Sequence, residues 1–187
     1  MTWEFLNPQA FWGLVGVVVG SILTTAKDVF LDRTKQKRDR QYAAVRLVVI
    51  LELYAEACHD TASDGGEMVS NDAGWEERET MVSKPVLDSF PDDIEWKALK
   101  SDLTYRVLRF PVLIAENERA ISYAFDEIAG PPDYDEGFDE RQKRYAQLGL
   151  EALKLAKELR AEVNLPEQAA DGLSRELQSI KNRIEQN

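Results

Sequence analysis

The chain has 187 residues, 44% hydrophobic and 30% charged, which is the range of one globular domain and excludes a disordered tail, a collagen-like fibre and a disulfide scaffold. Its 34 acidic against 23 basic residues give a formal charge of -11, so a nucleic-acid partner, which needs clustered cations to displace counterions, is not expected. One cysteine cannot form an internal disulfide, and that fits a reducing compartment.

In chain order, residues 1–9 read as a short extramembrane segment and 10–26 as a transmembrane helix. Phe5 to Ala26 is a run of 22 residues without a charge. At about 1.5 Å rise per residue such a helix reaches about 33 Å, enough for a hydrocarbon core of about 30 Å. Phe11, Leu14, Val15, Val17, Val18, Val19, Ile22 and Leu23 each favour insertion, by roughly 0.3 to 0.6 kcal/mol apiece. Trp3 and Trp12 stand where an interfacial aromatic belt is expected. Gly13, Gly16, Gly20 and Thr24, spaced by 3, 4 and 4, share one side, and Gly16 with Gly20 forms a GxxxG pair that permits close helix packing in lipid. The alternative is a central helix of a soluble bundle, which is also apolar all round. A cleaved signal peptide is disfavoured by Glu4, by the lack of Lys or Arg before the run, and by the lack of a small-x-small cleavage site.

Residues 27–41 form a basic juxtamembrane stalk. Lys27, Arg33, Lys35, Lys37, Arg38 and Arg40 follow the apolar run and no cation precedes it, so the carboxyl side is expected to be cytoplasmic, with the span in the inner (plasma) membrane. These side chains are assigned to topology and to anionic lipid headgroups, each well-placed cation contributing about 1 kcal/mol. The remainder of the chain is strongly acidic and is repelled by the same surface.

Residues 42–164 read as an acidic helical bundle. The stretch from Tyr42 to Tyr54 is interrupted by Arg46 and Glu52 and reads as a core helix ending near His59. Thr61 to Trp75, with Gly65, Gly66 and Gly74, is a loop by composition. A second helix is expected to open at Asp92 with a capping box closed by Glu95. Trp96, Leu99, Leu103, Val107 and Phe110 then share a face until Pro111 imposes a kink or break. Gly130, Pro131 and Pro132 end this helix. The spacing of Tyr145, Leu148, Ala152, Leu155 and Leu159 predicts a third helix from about Phe138 to Val163. Residues 165–187 form a C-terminal amphipathic helix whose thin seam, Leu173, Leu177, Ile180 and Ile184, suits one helical partner rather than a deep core. No alternation is long enough to predict a sheet. The fold class is therefore all-α: an N-terminal transmembrane helix continuing into a cytoplasmic antiparallel helical bundle.

Chemical motifs are sparse. Glu56 and His59 spell the Glu-x-x-His of carboxylate-bridged di-iron sites, which use two such motifs, and His59 is the chain's only histidine. Cys58 has no CxxC partner. The loop from Asp133 to Glu140 begins like a calcium loop but places Phe138 where the turn needs glycine and Arg144 where a bidentate Glu belongs. No phosphate-binding glycine loop or nucleophile elbow occurs. No catalytic residue, metal ligand or cofactor is assigned.

The run Phe11 to Gly20, followed by the basic Arg33 to Arg40, resembles uncharacterised bacterial single-pass inner-membrane proteins with a small helical cytoplasmic domain, as does Pro131 to Glu136 ahead of a helix. The resemblance covers mainly residues 1–60 and implies placement, not an activity. The functional expectation is a membrane-anchored, non-enzymatic interaction or scaffold module whose partners are lipid and either another protein or a second copy. A metal-dependent carboxylate and histidine enzyme, and a soluble bundle with the glycine-rich helix buried, are the alternatives.

Overall fold

A computed structural model describes residues 8–70, 74–166 and 171–186, without the side chains of 8–20, 22–26, 28, 29 and 171. The described residues are mostly helical, with four α-helices: α1 (Pro8–Ser63), α2 (Ser101–Tyr123), α3 (Asp135–Val163) and α4 (Asp171–Glu185). Strands β1 (Glu67–Ser70) and β2 (Glu76–Glu79) form a small antiparallel hairpin between α1 and α2.

The central element is α3, packed against each of the other three helices. The direction of each packing follows from residue pairs. Glu52 meets Arg160 while Asp64 meets Arg141. Arg106 meets Glu158 while Asn117 meets Arg144. Gly149 abuts Leu177 while Gln142 meets Arg183. In every pair of contacts the numbers run in opposite senses, so α1, α2 and α4 are all antiparallel to α3. The periodicity that predicts α3 is the one that fills the core: Tyr145, Leu148, Ala152, Leu155 and Leu159 are all buried, against Leu47, Leu51, Ala55 and Cys58 of α1 and Leu103, Val107 and Phe110 of α2.

Several boundaries differ from expectation for identifiable reasons. The helix expected from Asp92 begins as a 3-10 turn at Trp96–Ala98 and becomes α-helical only at Ser101. Its face was nevertheless read correctly, since Leu99, Leu103, Val107 and Phe110 are buried. Pro111 neither breaks nor ends α2, and it sits on the exposed side of the helix. A π turn at Ala124–Ile128 widens the helix end before Gly130.

The segment expected to be only a loop, Thr61 to Trp75, holds the end of α1 and strand β1, and β2 follows directly after it to close a hairpin. Its strands are four residues long and charged, Glu67 opposite Glu79 and Met68 opposite Arg78, so no apolar alternation announces them. Tertiary contacts hold it instead. Arg78 donates from its backbone N–H to the Pro132 carbonyl and from its side chain to the Gly65 carbonyl and Asp135. Its guanidinium also lies over the Phe138 ring, 4.3 Å from the centroid. Gly66 has φ +72° with the same ring so close that a Cβ would collide with it, so only glycine fits that turn.

Among the described residues no helix is long and apolar enough to cross a membrane. The side chains of the expected span, residues 10–26, lie outside the described residues apart from exposed Ser21. The backbone of that stretch belongs to α1, which runs unbroken from Pro8 into the bundle.

Candidate interaction surface

One side of α1 between Ala43 and Ala62 carries Ala44, Leu47, Val48, Leu51, Ala55, Cys58 and Ala62, all sealed in the core. The other side carries Tyr42, Val45, Val49 and Leu53 at spacings of 3, 4 and 4, and these are 41 to 53% exposed. Reading the whole apolar stretch as core overlooked this: apolar residues on consecutive positions of a helix cannot all face one way, and the two interleaved three-and-four patterns mark two faces. The outer stripe is flanked by Arg46, which donates to Asp93 at 2.7 Å and to the Tyr42 hydroxyl at 2.8 Å.

The cations of the stalk divide into two groups. Lys27, Arg33, Lys35, Lys37 and Arg38 are exposed on the part of α1 that precedes the core. Arg40 is not a free headgroup cation, and this corrects its assignment. Its Nε donates to the Ala98 carbonyl at 2.7 Å and its Nη1 lies 3.9 Å from Glu162, a carboxylate buried to 3% exposure that Lys100 also reaches at 2.6 Å. Burying Glu162 without such cations would be costly, and Arg40 is the cation that α1 supplies. The body thus begins at Arg40.

The seam of α4 is also corrected. Leu177 is fully buried against Gly149 and Cys58, and Leu173 and Ile180 pack on the same core. The partner helix this seam suits is α3 of the same chain, because Gly149 leaves room for Leu177 to approach the α3 backbone. Ile184 is half-buried at the end of the row. Gly13, Gly16, Gly20 and Thr24, the expected membrane-packing side, lie outside the residues whose side chains are described.

The motifs with chemical potential have structural partners. His59 Nε2 stands 3.0 Å from Glu176, tying α1 to α4, while Glu56 is exposed. Asp135 of the acidic loop accepts from Arg78 at 2.6 Å. Among the described residues no group of three or more His, Cys, Asp and Glu gathers that would hold a metal ion. Cys58 is buried, and that burial pushes its thiol up to about 12. The buried, protonated thiol is therefore not a ready nucleophile.

The strongest polar feature was invisible in the sequence. Asp64 Oδ2 accepts from the Met81 and Val82 N–H groups and from Arg141, Oδ1 from the Gly66 N–H, and Arg141 donates onward to the Thr61 and Val82 carbonyls. Burial favours the neutral acid, but the Val82 and Gly66 N–H groups and Arg141 outweigh it and hold the carboxyl below its ordinary range. Both oxygens of this carboxylate accept hydrogen bonds, three at Oδ2 and one at Oδ1, so it acts as a clasp that closes the hairpin onto α3.

No family model, curated protein or solved structure matches the chain. The outer face of α1 is a candidate functional surface on physical grounds alone: among the described residues it is an apolar helix face left exposed, as is the row Tyr105, Leu108 and Val112 of α2.

Proposed function

We propose that this chain is a membrane-anchored, non-enzymatic helical interaction module, with the amino-terminal part of α1 in the inner membrane, the amino side outside and the acidic bundle in the cytoplasm. The observation that carries the reading is that a single continuous helix bears, in order, an uncharged stretch long enough for a bilayer, an exposed cationic stretch, and an exposed apolar stripe on a folded body. Cations on one side of an apolar run favour retention of that side in the cytoplasm. The acidic body then stands away from the anionic surface while the stalk meets it. Binding is supported by the apolar stripe, whose residues are 41 to 53% exposed beside the Arg46 and Asp93 pair.

The test is fractionation of the full chain from cells. Retention in the pellet after alkaline carbonate extraction is expected. Recovery in the supernatant would overturn the anchor.

A further inference from the structure

We propose that two copies of this chain pair in parallel and in register along α1, through Leu31, Lys35, Arg38, Tyr42, Val45 and Val49. These six positions alternate by four and three residues, the repeat that brings two helices together along one seam. Tyr42, Val45 and Val49 are each about half exposed on the part of the helix whose opposite side is sealed in the core, and Leu31 is about half exposed on the stalk before it.

The flanks identify the occupant as a second copy. In a parallel pair, a residue on one flank meets the residue five positions later on the opposite flank of the other copy. That offset joins Lys27 to Asp32, Thr34 to Asp39 and Gln41 to Arg46, three successive pairs of compatible chemistry, the first an ion pair. The symmetry of the pair makes each contact twice. Lys35 and Arg38 meet their own kind at two successive seam positions, which weakens the pairing along the stalk and leaves the apolar positions to carry it.

An antiparallel pair centred on Val49 sets Arg38 opposite Asp60 and Tyr42 opposite Glu56, but it points the two amino ends in opposite directions. Two copies anchored in one bilayer cannot adopt it. The parallel sense therefore rests on the anchored reading above.

The test uses the full chain in isolated membranes, with Val45→Cys and Val49→Cys made separately and Lys37→Cys, on the back of the stalk, as the collision control. Cys58 is buried with its thiol protonated and stays silent. Mild oxidation is expected to convert both seam variants to disulfide-linked dimers at least tenfold faster than the control. Adding Val49→Glu to the Val45→Cys variant is expected to abolish its crosslink while leaving the exposed helix folded. Crosslinking of Val49→Cys alone, with Val45→Cys joining only to Leu53→Cys, would establish the antiparallel pair and overturn the proposal. Rates equal to the control at both seam positions would overturn it outright. Carbonate extraction of the same samples separates the two readings. Membrane-bound chain without seam crosslinks removes the pairing and keeps the anchor, whereas in-register dimers of carbonate-soluble chain remove the anchor and keep the pairing.

Discussion

Asp64 at the end of α1 and Arg141 near the start of α3 form a buried ion pair at 3.0 Å, their side chains 4% and 5% exposed. The pair fastens the hairpin and the loop at Val82 to the bundle. Removing one partner leaves the other charged and dry, which costs about 3 to 5 kcal/mol. Asp64→Ala is expected to lose that much in urea unfolding, and an Arg46→Ala change at the exposed Asp93 pair under 1 kcal/mol. Because the folded carboxyl titrates below its unfolded value near 4, the clasp is fully present above that pH and is lost as pH falls through the folded value. A cost for Asp64→Ala no greater than that for Arg46→Ala would show that the clasp does not hold the fold.

The alkaline limb should depend on the Tyr54 and Cys58 pair. Burial raises the phenol above its ordinary range and the thiol to about 12. In an unfolded chain they release protons near 10 and 8.5. Stability is therefore whole below about 8.5 and declines as pH rises toward 12, by at most about 1.4 kcal/mol per pH unit for each group. Cys58→Ala should flatten the decline between pH 9 and 10, read from unfolding midpoints. An unchanged slope would contradict this assignment.

The α4 seam makes a separate prediction. Leu177→Ala removes a fully buried side chain and should cost about 2 to 5 kcal/mol, with α4 released first and His59 losing Glu176. Gly149→Val should act similarly, because even a Cβ would stand 2.9 Å from Leu177 and 3.1 Å from Cys58. Hydrogen exchange along residues 171–186 reads both. Wild-type protection of α4 in either variant would mean the seam is not seated on α3.

The helices of the body were legible because their burial is periodic: Leu103, Val107 and Phe110, or Leu148, Ala152 and Leu155, need only the helix repeat to be placed on one side. What was not legible depends on distance along the chain. Asp64 and Arg141 are 77 residues apart, and neither sits in a motif. The hairpin is held by Arg78 and the clasp rather than by its own side chains. The exposed row from Tyr42 to Leu53 was hidden within an apolar stretch, and only separating its two spacings reveals the second face. Leu173, Leu177 and Ile180 were found as a row but given to an outside partner, since sequence does not say that Gly149 opens a slot for Leu177.

In the function proposed for this chain, α1 is an anchor at one end and a binding surface at the other. The most direct measurement is membrane retention of the full chain with Val17→Arg, compared with wild type and with Val49→Arg on the exposed face. A cation at the middle of a span costs about 2.5 to 3.5 kcal/mol of insertion. Wild type and Val49→Arg should remain in the carbonate-resistant pellet while Val17→Arg shifts to the supernatant; equal distribution of all three would contradict the claim.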